Sequence, residues 1–399
     1  MRFSKLVLPG VAMIAVTYGL ARFSFGLLLP GMSESLDMSE SVSGMVSSLF
    51  YVAYCFTIVL STVMTTREGP GKMIFSAGLS AFVGLLLIAI TPNVWVLALG
   101  VLLAGGSTGL VSPPYGAAVS LWMKEDKQGR ANTWINSGTS IGIALSGAGA
   151  ILLSTNWRLT YLIYAFLTFL VLVWNFRAIP KDGVRSDLRF EKGKLSIRGV
   201  KGAASLVLAS LFLGISTAPF WTFSRTFIEV AGDYSGWQLS GFWIIIGLFG
   251  VLGGFSGSLI EKGGLPFAYK LGSLLITSAS IILALAPENL FVSYLSAAIF
   301  GCFYIFITGV LLVWGIRVFI TNASLGIAVP FLLLAVGQVI GSLFAGWFIE
   351  AWGYTPAFII YGFVGMLAIF IGPKRRRKRA FIDLWNKRVK KTRKTKFIH

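Results

Sequence analysis

Arg22 stands inside an apolar run that extends from Leu6 to Pro30, with Tyr18 four residues before it and Thr17 beside that tyrosine. Residues four apart share a helix face, so these side chains project to one side. A guanidinium is a planar fork of N–H donors, and a phenol hydroxyl both donates and accepts, so the group suits a carboxylate or another anion. At 1.5 Å rise per residue Arg22 lies about 12 Å below Pro30, deep for a side chain to snorkel out. An ionisable group at that depth marks a ligand pathway or coupling site, or else ties its helix to carbonyls freed by a neighbouring kink.

Two further stretches combine helix-breaking residues with aromatic ones. Gly105, Gly106, Gly109, Pro113 and Pro114 precede Tyr115, and Gly214, Ser216, Thr217 and Pro219 precede Phe220 and Trp221. Proline removes an amide donor and frees a carbonyl, which a membrane tolerates where protein or a wet cavity satisfies the backbone. Both stretches are therefore expected to be irregular, with Tyr115, Thr217 and Trp221 either walling a cavity or flanking plain hinges. Arg225 and Arg158 read as interfacial anchors, Arg158 paired with a loop acid.

Other chemistries are excluded by residue type. The only histidine is His399, and Cys55 and Cys302 lie in separate apolar stretches, so neither a Cys/His metal cluster nor a disulfide framework is expected. No Ser/His, Cys/His or paired-carboxylate arrangement falls at membrane depth, which argues against an enzyme and against a cofactor.

The elements that must position Arg22 follow from composition. The 399 residues are 56% hydrophobic and 12% charged, about half the charge of a soluble domain. Apolar stretches of about twenty residues, enough to cross a ~30 Å hydrocarbon layer, run almost end to end. The run from Leu6 is too long for a signal peptide and counts as the first span. Spans are expected near 6–30, 43–64, 74–91, 94–122, 131–154, 157–176, 202–228, 238–260, 267–286, 290–316, 323–348 and 355–372. With the N-terminus cytoplasmic, all but three of the 34 basic residues fall on the inner side, the exceptions being Arg22, Arg158 and Arg225. The outer loops carry Glu34, Asp37, Glu40, Glu229, Asp233, Glu288 and Glu350. So lopsided a division supports twelve transmembrane helices with both termini cytoplasmic in an all-α membrane protein.

The chain also repeats. A basic segment at 177–201 separates six spans (1–176) from six (202–373), with a polybasic tail at 374–399. An offset of 195 aligns Gly19 with Gly214, Arg67 with Lys262, Gly69 with Gly264, Pro92 with Pro287, Gly106 with Gly301, Gly142 with Gly337 and Trp157 with Trp352. Glycines 138, 142, 147 and 149, and their counterparts Gly337 and Gly341, have spacings that permit close helix approach. Two parallel six-helix bundles of this kind can rock about a central site.

Here the chain resembles the major facilitator superfamily. Gly257, Glu261, Lys262 and Gly264 fit its cytoplasmic loop signature, while the first copy keeps Arg67 and Gly69 but has Thr62 and Thr66 for the glycine and the acid, with Glu68 two residues displaced. The resemblance implies that the acid pairs with a base across the seam and latches the inner face. Arg130 with Ala131, and Trp157 with Arg158, look like family features opening the fifth and sixth helices. The run Gly19, Ala21, Arg22, Phe23, Phe25, Gly26, Leu29, Pro30, with Trp314 to Arg317 and Gly337-Gln338, resembles the bacterial YbfB/YjiJ-like branch. The resemblance implies a plasma-membrane transporter of small solutes, anionic or polar metabolites on the strength of Arg22. Alternatives are an exporter of apolar or cationic compounds, or a transport-dead sensor or scaffold; Ile143, where drug antiporters carry a proline, counts against an exporter. No acid lies within the spans away from their ends, so coupling would use the substrate's own protonation, antiport or no ion. The basic run Lys374 to Arg379, with Phe381, Ile382, Trp385 and Val389 beyond it, is expected to meet anionic lipids and not nucleic acid.

Overall fold

The computed structural model describes residues 3–152, 156–180, 200, 202–320 and 323–374. Most of the expected linker (181–199) and tail (375–399) lies outside the described residues. Among the described residues every element is a helix. They are α1 (Phe3–Leu36), α2 (Glu40–Glu68), α3 (Pro70–Ile90), α4 (Val94–Trp122), α5 (Glu125–Leu152), α6 (Trp157–Ala178), α7 (Ala203–Ala231), α8 (Gly236–Gly263), α9 (Leu265–Leu285), α10 (Leu290–Val318), α11 (Ala323–Trp352) and α12 (Tyr354–Phe370). Among the described residues eleven are long and apolar enough to cross a membrane, and α12, with 17 residues, is a shorter apolar helix.

Several helices overrun their expected spans: α1 continues past Pro30 to Leu36, and α2 runs from Glu40 to Glu68. Apolarity marks the hydrocarbon crossing, whereas polar caps fix the ends. Ser39 accepts the Val42 amide, and Asn93 accepts those of Trp95 and Val96. Asn289 caps α10 in the same way. Gly69 and Gly264, aligned by the repeat, end α2 and α8 at φ of 85° and 84°, a conformation that side chains strain to adopt.

The repeat is also written into the packing. Helices α3·α4, α2·α4, α1·α5, α3·α6 and α1·α6 pack together, and so do α9·α10, α8·α10, α7·α11, α9·α12 and α7·α12. Gly19 of α1 lies on the Gly142 backbone of α5, and Gly214 of α7 lies against Leu334 and Gly337 of α11. Each glycine of one crossing has its 195-residue counterpart in the other, because only a missing Cβ lets the two backbones approach so closely.

Packing between helices α1–α6 and helices α7–α12 is concentrated at one end. There α2 meets α11, α5 meets α8, and the Ser24–Leu36 part of α1 meets α7. A Cβ at Gly26 would strike the Trp221 carbonyl, one at Gly44 the Ser342 carbonyl, and one at Gly346 the Glu40 carbonyl. The Ser47 and Thr222 hydroxyls meet across the same seam at 2.8 Å, and Thr222 passes the chain on to Ser342 of its own half at 3.2 Å. Tyr354 donates to Glu40, and the Ser41 amide donates to Glu350. At the opposite end, Gly116, Gly129, Gly254 and Gly257 would meet nothing within 4 Å. The seam is therefore closed at the end bearing loops 37–39 and 232–235, and these crossings lie away from the end bearing Gly69 and Gly264.

The expected breaks in α4 and α7 are absent: both helices run continuously through Pro113, Pro114 and Pro219. The carbonyl four residues before Pro114 is Leu110, which accepts the Ser61 hydroxyl at 2.9 Å, so a neighbouring helix replaces the lost bond. Irregular geometry falls elsewhere, in a π-helical stretch of α1 (Ala15–Phe23) and a 3-10 turn of α8 (Gly253–Phe255).

Candidate functional site

The π-helical stretch of α1 carries Arg22, and such wide turns recur at functional sites. The residue is 6% exposed. Its Nη2 donates to Gln338 Oε1 of α11 at 3.2 Å, and Gln338 Nε2 donates to the Tyr304 hydroxyl of α10 at 3.2 Å. The guanidinium carbon lies 4.7 Å from the Tyr51 ring centre, 5.1 Å from Phe23 and 5.2 Å from Tyr54. Ring faces attract a cation but carry no net charge, and a carboxamide is neutral. Among the described residues no ion pair includes Arg22. Its Nε is buried without an acceptor, and so is Nε1 of Trp221. Both residues line one small pocket with Phe23, Phe25, Ser47 and Tyr51. Phe23 packs on Trp221 at 4.1 Å between ring centres, and Trp221 on Tyr304 at 5.0 Å.

Of the sequence-derived candidates, the fold gathers Arg22, Trp221 and Tyr18 here. Tyr18 braces α1 on α4 through Ser112 Oγ at 2.9 Å and the Thr108 carbonyl at 3.2 Å, with its ring 6.4 Å from Phe23. The others are committed elsewhere. Thr17 and Thr217 donate to carbonyls of their own helices, Met13 at 2.8 Å and Leu213 at 2.9 Å. Tyr115 donates to Asn175 Oδ1 at 2.5 Å, and Asn175 Nδ2 donates to the Pro9 carbonyl at 3.0 Å, a buried clasp joining α4, α6 and α1. Tyr115→Phe strips that acceptor of its donor, and about 1–3 kcal/mol of stability should go with it. The thermal midpoint of purified protein should fall while any ligand-induced shift persists; loss of the ligand shift would put Tyr115 in the site after all.

Arg225 pairs with Glu229 one turn along α7. Arg158 corrects an expectation: its Nη2 donates to the Thr91 carbonyl at 2.8 Å and its guanidinium lies 4.1 Å from the Trp157 ring centre, and among the described residues it pairs with no loop acid. The last carbonyls of a helix lack intrahelical partners, and a cation beside the end of α3 supplies one.

The loop-signature residues lie at the opposite end, around Gly69 and Gly264. Glu261 and Lys262 are exposed and, among the described residues, form no ion pair. Gly257 has open space around it, and Gly264 makes the turn. In the first copy Arg67 is exposed, Gly69 makes the matching turn, and Glu68 pairs locally with Lys72 at 2.8 Å. Arg130 is exposed and lies 5.4 Å from the Phe3 ring centre.

Sequence reasoning missed Tyr51, Tyr54, Tyr304 and Gln338 as site residues. A faint signal existed: Tyr51 and Tyr54 are three apart, on one helix face, and Gln338 is an amide inside an apolar run.

Comparison with known proteins places this geometry. The family model of the Major Facilitator Superfamily matches residues 11–329. A POT family transporter in complex with 5-aminolevulinic acid superposes with a TM-score of 0.73 at 14% identity, covering 92% of this chain and 94% of that one. A mutant of the peptide transporter POT gives 0.75 at 15% identity, covering 92% and 93%. A POT family transporter holding a thioalcohol-conjugated peptide gives 0.74 at 14%, covering 92% and 94%. Those likenesses establish the fold. The chain belongs to the Major Facilitator Superfamily.

Proposed function

We propose that the protein is a secondary transporter that carries a small anionic solute across a bacterial plasma membrane by alternating access. Its moving parts are the bundles 1–176 and 202–373, joined by the linker 177–201, with twelve membrane-spanning helices and both termini in the cytoplasm. On that orientation the closed end faces outward, and the state described above is inward-facing. The linker and tail would rest on anionic lipids.

One observation carries the reading: Arg22 is buried between the bundles among neutral partners, with no acid among the described residues to neutralise it. A charge taken out of water needs a partner, and a lone one is costly. A substrate anion supplies what the protein withholds. With no acid beside Arg22 to relay protons, coupling would run through protonation of the substrate, through exchange, or through no ion.

The test is thermal unfolding of detergent-purified protein against carboxylates, inorganic anions, sugars and lipophilic cations, with Arg22→Gln in parallel. Ligand at a hundredfold over Kd stabilises the native state by about 2.7 kcal/mol. An anion should raise the midpoint of the parent and not of Arg22→Gln. Equal stabilisation of both by lipophilic cations would overturn the reading in favour of an exporter of cationic compounds.

A further inference from the structure

Resting on the anion reading, the geometry points to a narrower substrate class: a monoanion that accepts hydrogen bonds, has an apolar or aromatic body, and bears no ammonium group. We infer that it bridges Arg22 Nε and Trp221 Nε1 across the seam.

Three observations lead there. Arg22 and Trp221 are 6% and 4% exposed, come from α1 and α7, line the same pocket, and each holds a buried N–H donor without an acceptor. Ten buried side-chain polar atoms lack a partner among the described residues, but only these two belong to residues that line this pocket, and a group offering two acceptor oxygens would satisfy both. The second observation is charge. Arg22 is the pocket's only ionised residue, so one negative charge is balanced and a second is not, while an ammonium would find no carboxylate and would face the guanidinium. Third, the remaining walls are apolar or aromatic: Phe23, Phe25, Phe50, Tyr51 and Trp221. The enclosed space is about that of one water, so a ligand body enters only as these faces part at the seam, and an apolar body is the one that buries against them when it does. Ser47, the other polar lining residue, already shares its hydroxyl with Thr222 at 2.8 Å.

The experiment measures thermal shifts with benzoate, acetate, succinate, phenylalanine and benzylamine on the full-length parent, Arg22→Gln and Trp221→Phe. Benzoate should stabilise the parent most, acetate and succinate weakly, phenylalanine and benzylamine not at all. Trp221→Phe keeps an aromatic ring and deletes the N–H, so it should weaken benzoate about tenfold or more, read as the shift from that variant's own unliganded midpoint, which the smaller ring lowers. Phenylalanine binding as well as benzoate would overturn the exclusion of ammonium groups and leave the anion site standing. Acetate matching benzoate would overturn the apolar-body requirement alone, and unchanged benzoate affinity in Trp221→Phe would overturn the bridge. Benzylamine stabilising parent and Arg22→Gln alike would remove the anion site itself.

Discussion

Gly26→Leu should hold the two bundles apart at the closed end while leaving each bundle folded. A side chain at residue 26 would be driven into the carbonyls of Trp221 and Thr222, which belong to an opposing helix backbone and cannot rotate away. The nearest atoms all lie across the seam, so the clash falls on closure and not on the packing of α1 within its own half. Each 1.4 kcal/mol of clash shifts a two-state equilibrium about tenfold, and forcing extra carbons into close-packed atoms typically costs about 1–3 kcal/mol or more. The closed population should therefore fall by about a factor of ten to a hundred. Ser47→Cys is a suitable reporter, because Ser47 is 3% exposed at the seam beside Thr222. Its reaction with a membrane-impermeant thiol reagent should quicken about tenfold or more in Gly26→Leu. Gly142→Leu is the contrast, since its clash is with Ala15 inside one bundle. It should reduce folded yield with no gain in labelling. Equal labelling of Ser47→Cys with and without Gly26→Leu would show that this end does not open.

The same glycines show what the sequence carries. Gly19, Gly142, Gly214 and Gly337 fall at matching places of a 195-residue repeat, and they meet in matching pairs, because a backbone crossing constrains residue type at both contacting positions. Arg22 was legible for a related reason: a charge in an apolar run stands out without knowledge of its neighbours. Its neighbours were not legible. Gln338 is 316 residues away, and the choice of Tyr51, Tyr54 and Tyr304 from among the tyrosines depends on how two bundles seat against each other. Proline was a poor guide to irregularity: α4 runs on through Pro113 and Pro114, and Ser61 takes up the carbonyl that Pro114 frees. The π-helical stretch of α1, which holds Arg22, contains no proline at all. Thr17 and Thr217 were drawn in by their hydroxyls, yet such a hydroxyl in a dry helix finds the carbonyl one turn back more readily than a distant ligand.

Gln338→Glu should abolish anion binding by giving Arg22 a counter-charge of its own. The carboxamide oxygen sits 3.2 Å from Nη2, so an isosteric carboxylate would form a buried, charge-assisted bond there. The Tyr304 hydroxyl, which accepts from the Gln338 amide, can turn its proton and donate instead. With the cation neutralised, an incoming anion meets the new carboxylate as a like charge. Close charge pairs couple by about 1.5–7 kcal/mol, so anion affinity should drop by a factor of about ten or considerably more. The unliganded protein should at the same time unfold at a higher temperature than the parent. Gln338→Leu works in the opposite sense: Arg22 loses its acceptor, the unliganded midpoint falls, and the midpoint gained on adding an anion grows. The ligand-induced shift should therefore rank leucine above glutamine above glutamate at position 338, the reverse of the unliganded midpoints. Arg22 already ties α1 to α11 through Nη2, and an anion bridging its Nε to Trp221 of α7 would add a second tie between the same two bundles. Occupancy and rocking are then linked through one side chain, and a Gln338→Glu protein that still binds anions as the parent does would break that link.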